Sequence, residues 1–127
     1  MFDSFNGLNV LQWNCHSIKN KISEFSQFLS SCNPDVVCLQ ETFLDKNFTL
    51  SLPNFNVLRH DRSTSSGGGV AFLVKKGISY REFKVFDVDE IISVKIPTFS
   101  GEIEIINVYC APLNSFDSKF SSEKVFL

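Results

Sequence analysis

The stretch that most constrains the fold is residues 34–41, which read PDVVCLQE. Its four central residues are apolar and rich in β-branched side chains. Such a run indicates a strand buried on both faces, although periodicity alone leaves a buried helical segment open. Glu41 follows the strand after a single glutamine, and the carboxyl edge of a strand is where open α/β sheets bind ligands. Glu41 is therefore the first candidate for a functional residue.

The segments before this strand predict another strand and a helix. Residues 8–13, LNVLQW, form the predicted strand, which ends at Asn14. The next apolar residues have the spacing of one helical face: Ile18, Ile22, Phe25, Phe28, Leu29 and Cys32. Asn33 and Pro34 end this helix. Because strand, helix and strand follow within about 35 residues, they form a βαβ unit whose two strands are parallel.

After Glu41 the pattern becomes mostly extended and antiparallel. Residues 42–54 are a predicted loop and residues 98–102 a hairpin turn, and the tail after Pro112 is assigned no structure. Strands are predicted at residues 55–59, 70–74, 80–88, 91–96 and 103–109. Glycines 67–69 lack the Lys-Ser/Thr of a phosphate-binding loop, and a turn or close backbone approach explains them. The fold class is α/β, with a mixed β-sheet and a flanking helix.

Composition narrows the class of protein. With 127 residues, 43% hydrophobic and 20% charged, the chain is predicted to form one globular domain. A net charge of −2 argues against holding nucleic acid by bulk charge, but it leaves room for a local basic rim. Neither a signal peptide nor a membrane helix is predicted. The cysteines at 15, 32, 38 and 110 form no C-x-x-C pair and are predicted to be reduced, buried thiols of an intracellular protein.

Three predicted strands end in a residue useful to chemistry, namely Asn14, Glu41 and Tyr109. Parallel neighbours bring Asn14 and Glu41 to one edge, and Tyr109 joins them only if its strand runs the same way. Glu41 offers a hard oxygen suited to Mg²⁺ or Mn²⁺. Asn14 offers an amide to metal or phosphate, and Tyr109 offers a hydroxyl to phosphate. Together they suggest metal-assisted phosphoester hydrolysis.

Each candidate also has a plainer interpretation. Glu41 is equally a solvated residue leaving a strand, Asn14 a turn or cap residue, and Tyr109 a half-buried aromatic. Only their joint placement favours function. Arg59 and Arg62 form a small basic group that contacts a nucleic-acid backbone or lies in a solvated loop.

Four blocks of the sequence resemble the endonuclease/exonuclease/phosphatase family. They read LNVLQWNCHSIKNK, PDVVCLQET, RHDR…GGGVAFLV and INVYCAP and span most of the chain. The first two occur in the family's order and spacing. The glycine block is similar to the retrotransposon branch, the apurinic-type endonuclease domain of non-LTR, jockey-like elements.

The resemblance implies a fold and an activity. The family fold is a four-layer α/β sandwich, two sheets face to face with helices outside, and this chain corresponds to its N-terminal half. The activity is metal-dependent nicking of DNA in the nucleus for target-primed reverse transcription, with weakly held Mg²⁺ or Mn²⁺. No membrane and no obligate small-molecule cofactor are implied. Asn14 and Glu41 match the family's metal-site residues, and Tyr109 matches its phosphate-contacting tyrosine.

The sequence also departs from the family pattern. The family's later Asp-x-Asn motif, which orients and activates water, does not occur after Tyr109, and neither does the Ser-Asp-His motif that contacts the scissile phosphate. We therefore expect residues 1–127 to be a single incomplete domain, truncated, inactive as this chain and without a reverse transcriptase. The alternatives are a non-catalytic fragment with residual metal or nucleic-acid binding, and another phosphoesterase of the superfamily.

Half of a two-sheet fold is expected to leave one sheet face uncovered. Some of Val37, Leu39, Phe72 and Ile105 should lie on that face. Exposed apolar side chains forgo burial energy and invite association. The expectation is a marginal protein that self-associates through the uncovered face.

Overall fold

The computed structural model describes residues 2–5, 7–63, 67–86, 90–110 and 123–126. Its elements in chain order are β1 (Phe2–Phe5), β2 (Leu8–Asn14), α1 (Ile22–Cys32), β3 (Val36–Gln40), β4 (Phe55–His60), β5 (Val70–Lys75), β6 (Arg81–Phe86), β7 (Glu90–Thr98), β8 (Gly101–Tyr109) and β9 (Glu123–Phe126). The predicted α/β class, with a mixed sheet and a flanking helix, is confirmed.

The first sheet has the strand order β1-β2-β3-β5-β4. β2 and β3 are parallel, as the βαβ pattern predicts, and Asn14 lies opposite Gln40. The other pairs in this sheet are antiparallel. Since β2 and β3 run the same way, both end at one edge of the sheet, which we call the carboxyl edge.

The second sheet has the order β6-β7-β8-β9 and is antiparallel throughout. The predicted hairpin turn joins β7 to β8, and Gly101 follows it with a φ of 127°. Strand β9 lies in the polar tail for which no structure was predicted, so that prediction was wrong for its last residues. The strand has only four residues and is defined by pairing with β8, which no local pattern reveals.

Each face of the first sheet is covered. One face packs on α1, where Phe25 and Leu29 meet Leu11 of β2. The opposite face packs on the second sheet, and Phe72 lies there among Ile92, Val94, Ile96 and Ile105. The core therefore has two layers, one between helix and sheet and one between the sheets.

The expectation that one sheet face is uncovered is wrong. Val37, Leu39, Phe72 and Ile105 are each 0% exposed. Val37 and Leu39 belong to the layer under α1, whereas Phe72 and Ile105 meet between the sheets. The physical reason is that strands β6 to β9 form a sheet of their own and cover the face that the sequence analysis left open.

The helix begins later than its apolar spacing predicts. Ile18 is buried but lies in the connection before α1, where its N–H donates to Thr42 O at 3.1 Å. This backbone pairing beside β3 uses the N–H for a contact distant in sequence, so the helical spacing is not realised there. Helix α1 ends where predicted, because Asn33 adopts a left-handed φ of 48° and its N–H donates to Leu29 O.

All four cysteines are free. Burial, as predicted, is confirmed for Cys15 and Cys38. It is wrong for Cys110, which is exposed just beyond the end of β8, and Cys32 on α1 is only half-buried. Across the described residues, α1 is the sole helix, and neither its length nor its hydropathy would let it cross a bilayer.

Candidate functional site at the carboxyl edge

Asn14 and Glu41 meet at the carboxyl edge, as the parallel pairing predicts. The Asn14 side-chain amide, Nδ2, donates a hydrogen bond of 2.5 Å to Glu41 Oε2. The parallel register explains the contact, since Asn14 pairs with Gln40 and Glu41 is the next residue. The Glu41 side chain is 20% exposed, so solvent and ions can reach its carboxylate.

The backbone around Glu41 is held in an unusual conformation. Glu41 has a φ of 52°, and His16 and Ser17 in the facing connection also have positive φ. Such values cost a residue other than glycine roughly 1–3 kcal/mol and persist only where the surroundings impose them. Here Ser17 N donates to Glu41 O at 2.8 Å, and Cys15 N donates to Gln40 O at 2.9 Å. These bonds fix the position from which the Glu41 side chain extends.

A chain of side-chain amides, of which Gln40 and Asn107 are buried, brings the second sheet to the same edge. Gln12 Nε2 donates to Gln40 Oε1 at 2.6 Å, and Gln40 Nε2 donates to Asn107 Oδ1 at 2.7 Å. Asn107 Nδ2 in turn donates to the carbonyls of Leu39 and Ala71. Because these bonds tie β8 to β3 and β5 just before Tyr109, Tyr109 reaches the carboxyl edge. Gln40 and Asn107 were not predicted as site residues, since nothing local in the sequence shows that the two amides face each other.

Arg62 and Glu90 form an ion pair beside Tyr109. Arg62 donates to Glu90 Oε2 through Nε at 3.0 Å and Nη2 at 2.5 Å, and its guanidinium lies 5.9 Å from the Tyr109 ring centroid. The hydrogen bond to Glu90 raises the pKa of Arg62, and Tyr109 and Glu41 raise it further. Arg62 is therefore within electrostatic reach of both predicted site residues. Glu90 was not predicted, because only the β7–β8 register places it opposite Tyr109.

The glycine run allows the close approach that the sequence predicts. Gly68 and Gly69 have φ values of 65° and 92°, which side chains other than glycine rarely adopt. A methyl group on Gly68 would overlap the Arg62 guanidinium, and one on Gly69 would overlap the Thr42 hydroxyl. Their carbonyls accept hydrogen bonds from the two residues that follow Glu41. The loop therefore packs directly against the candidate site.

Arg59, the other predicted nucleic-acid contact, faces into the protein. It donates to the Phe48 and Asp45 carbonyls at 2.7 Å each and pairs with the Asp61 carboxylate. These bonds hold the loop between β3 and β4 against β4. A contact between Arg59 and nucleic acid stays a prediction, and the geometry gives Arg62 the better position for one.

The donor set at the edge suits a hard dication that keeps most of its own water. Glu41 contributes a carboxylate and Asn14 an amide, and His16 Nδ1 lies 3.7 Å from Glu41 Oε1. Among the described residues, no cluster of three or more His, Cys, Asp and Glu side chains is placed to hold a metal. Mg²⁺ is commonly held by one or two carboxylates with several waters. The residues therefore fit such an ion, held weakly.

Comparisons with known proteins agree with this architecture. The chain is 24% identical over 119 residues to a probable RNA-directed DNA polymerase from transposon BS of Drosophila melanogaster. That alignment covers 90% of this chain and 13% of the fly protein, so the chain spans a small part of that relative.

Solved structures with a similar fold include three enzymes. They are an AP endonuclease from Leishmania major (TM-score 0.65, 22% identity), an AP endonuclease from Archaeoglobus fulgidus (0.63, 22%) and the 3′ phosphatase NExo from Neisseria (0.59, 19%). Each match covers 80% of this chain and 40% of the other. At these identities the likeness establishes the fold, and it confirms the predicted fold class.

The family assignment rests on the match over the whole site. The model of the Endonuclease/Exonuclease/phosphatase family matches residues 11–123, a range that includes Asn14, Glu41 and Tyr109. The chain belongs to the Endonuclease/Exonuclease/phosphatase family.

Proposed function

We propose that this chain supplies the metal-holding and phosphate-holding residues of a nuclease site that hydrolyses phosphodiester bonds in DNA. The observation that carries the proposal is the hydrogen-bonded pair of Asn14 and Glu41 within electrostatic reach of Arg62. A carboxylate within electrostatic reach of a guanidinium provides for a dication and for a phosphate in one region of the protein. Family membership supports phosphoester hydrolysis, and the name of the transposon relative supports a mobile-element protein. Action in the nucleus is part of the proposal.

The side chains are proposed to have two roles, binding of a metal ion and binding of a phosphate group. Glu41 and Asn14 would hold Mg²⁺ or Mn²⁺, which when bound polarises a phosphoryl oxygen. The Asn14 amide, by donating to Oε2, orients the Glu41 carboxylate. Arg62 and Tyr109 would donate to phosphate oxygens, since a guanidinium and a phenol are both suitable donors. Gly68 leaves the space that the guanidinium occupies.

Metal binding tests the first role. Mn²⁺ is titrated into the wild type and into Glu41→Gln, followed by the loss of the free-ion electron paramagnetic resonance signal, and Mg²⁺ is then added as competitor. We expect Glu41→Gln to weaken binding at least tenfold, because it removes the one carboxylate that the described residues place there. Asp35→Asn is the matched control, since Asp35 has similar exposure and lies at the other end of β3. Equal affinity of wild type and Glu41→Gln would refute the proposal.

Cleavage tests what these residues do without the family's later motifs. We expect no specific nicking of supercoiled plasmid by the 127-residue chain, because neither Asp-x-Asn nor Ser-Asp-His follows Tyr109. Removing members of such a constellation costs several orders of magnitude in rate. Glu41→Ala, purified in parallel, controls for contaminating nucleases. Metal-dependent nicking by the wild type that Glu41→Ala abolishes would contradict this expectation.

DNA is preferred over a small phosphate ester as the ligand. The transposon relative is the observation that favours it, since its name describes an enzyme that makes DNA. Competition between a short DNA duplex and a nucleoside monophosphate or inositol phosphate separates the proposals. Displacement of the duplex by equimolar small phosphate would favour the alternative phosphoesterase.

Self-association is proposed to involve the outer face of the second sheet. Ile91, Ile106 and Val108 are half-buried on that face, and the adjacent Phe86 is exposed. A second copy of the chain could cover this strip by apolar contact. Size-exclusion chromatography of the wild type and Phe86→Lys would detect it as a shift toward monomer in the variant.

A further inference from the structure

We infer that Glu90 is a positioning residue that holds Arg62 as a preformed phosphate site, which binds a DNA phosphate without metal. The inference rests on the proposed function and deepens it, because it divides the site into a metal-dependent part at Glu41 and a metal-independent part at Arg62.

Glu90 holds Arg62 in place with a full set of contacts. Its carboxylate accepts from Arg62 Nε and Nη2 through Oε2, while Oε1 accepts from the backbone N–H of Gly69. The Glu90 side chain is only 14% exposed. Charge-assisted bonds from two nitrogens of one guanidinium fix the direction of its plane as well as its distance. Glu90 thus joins the arginine to the glycine loop and to the start of β7.

Part of the guanidinium is left without a hydrogen bond by the residues that the structure describes. Glu90 takes Nε and Nη2, and within the described ranges Nη1 makes no hydrogen bond. Gly67 lies on the Nη1 side and Gly68 beneath the guanidinium, so no side chain of these two residues occupies the space. The Tyr109 ring supports the group from another side. An arginine with one N–H-bearing nitrogen left over and its plane fixed suits a phosphate oxygen.

The charge of Glu90 makes the inference testable, because a positioning role and a net-charge effect predict opposite changes in DNA affinity when that charge is removed. A carboxylate beside a phosphate site lowers the local positive potential, so by net charge alone its removal should strengthen DNA binding. A positioning role predicts the reverse, because a guanidinium that is already ordered pays less entropy on binding its ligand.

The experiment measures binding of a short fluorescent DNA duplex in EDTA by anisotropy, over a series of salt concentrations. We expect Glu90→Gln to weaken binding about tenfold, although it adds one unit of positive charge, because the loss of one charge-assisted contact has roughly that effect. Arg62→Lys should weaken binding similarly, since it keeps the positive charge but removes the planar set of N–H donors of the guanidinium. Glu90→Asp should restore part of the affinity.

The matched control is Glu102→Gln. Glu102 also pairs with an arginine, Arg81, at 2.7 Å, but at the β7–β8 hairpin end of the second sheet, away from Tyr109. This variant changes the net charge by the same amount and should leave DNA binding unchanged or slightly tighter. Thermal melting in EDTA shows whether each variant is folded, and Arg62→Lys tests the inference if Glu90→Gln is not.

Two results would overturn the inference. One is DNA binding by folded Glu90→Gln that is as tight as wild type or tighter. The other is a wild type that binds Mn²⁺ through Glu41 but binds no DNA in EDTA, which would leave the proposed function standing. A wild type that binds no Mn²⁺ at Glu41 would instead count against the proposed function.

Discussion

The two ends of strand β3 carry one carboxylate each, and they differ in what those carboxylates meet. Asp35, just before the strand, is 18% exposed and pairs with Lys75 at 3.1 Å, while its Oδ2 accepts the Asn9 N–H at 2.8 Å. Glu41, just after the strand, is 20% exposed and meets the neutral Asn14 amide. Among the described residues, no lysine or arginine forms an ion pair with Glu41.

We interpret this difference as separating a carboxylate that serves the fold, Asp35, from one that is proposed to hold a ligand, Glu41. At the amino end of β3, the Asp35 carboxylate is paired with Lys75, as expected of a structural contact. At the carboxyl end, the ion-pair partner that the described residues give Glu41 is an exposed histidine, His16, at 3.7 Å. A carboxylate that is accessible and that forms no ion pair with a lysine or arginine of the described residues, at the edge where α/β sheets bind ligands, is suited to a cation from solution.

The largest predicted effect tests whether the carboxyl end is as firmly held as the amino end. Asn107→Ala should lower the free energy of unfolding by about 2–4 kcal/mol, because it leaves the buried Gln40 amide and two buried backbone carbonyls without their hydrogen-bond partner. Urea unfolding followed by tryptophan fluorescence measures it, with Asn56→Ala on exposed β4 surface as the control. A loss as small as that of Asn56→Ala would mean that the amide chain does not anchor this edge.

The sequence predicts the part of the site that depends on local pattern. Asn14 and Glu41 each follow an apolar run, and the βαβ unit makes those runs parallel, so their meeting follows from neighbouring segments. Tyr109 was predicted only conditionally, because its place depends on a strand in the other sheet.

The parts that were missed depend on pairing between distant segments. Glu90 lies opposite Tyr109 through the β7–β8 register, and Gln40 meets Asn107 across the gap between two sheets. Ile18 fits the helical spacing, but it belongs to a segment, residues 15–18, whose backbone pairs with the end of β3 and the two residues that follow it. The second sheet was underestimated for the same reason. Its strands alternate weakly, so the sequence did not show that they would cover Phe72.

A second prediction concerns how the free energy of unfolding depends on pH through two buried thiols, those of Cys15 and Cys38. Desolvation raises the pKa of Cys15, which lies at the carboxyl edge, from 9.0 to about 12, and burial raises the pKa of Cys38 within β3 as well. A raised folded pKa gives stability that is complete below pH 9 and lost as pH rises through the folded value. We therefore expect the free energy of unfolding to fall between pH 9 and 12, with a slope of about 1.4 kcal/mol per pH unit for each thiol ionised only on unfolding.

Urea unfolding at several alkaline pH values measures this slope. The variant Cys15→Ala/Cys38→Ala is the control, since it removes both buried thiols and should show a flatter dependence whatever its stability at pH 7. Cys110→Ala, at an exposed position, should leave the slope unchanged. An equal slope in the wild type and the double variant would show that the thiols are not the cause.

The smallest predicted effect returns to the two carboxylates. Asp35→Asn should lower the free energy of unfolding by about 1 kcal/mol, because it removes the charge opposite Lys75 in a partly buried ion pair. Glu41→Gln should change it by less than about 0.5 kcal/mol, since a glutamine oxygen can still accept from Asn14 and no lysine or arginine pair is broken. Thermal melts with and without Mg²⁺ should rank the two variants the other way round, with Glu41→Gln departing more from the wild type than Asp35→Asn. The metal should raise the melting temperature of the wild type and of Asp35→Asn, but not that of Glu41→Gln, because only a protein that binds the ion is stabilised by it. If Glu41→Gln costs as much as Asp35→Asn in the absence of metal, Glu41 is a structural residue, and the contrast between the two ends of β3 does not hold.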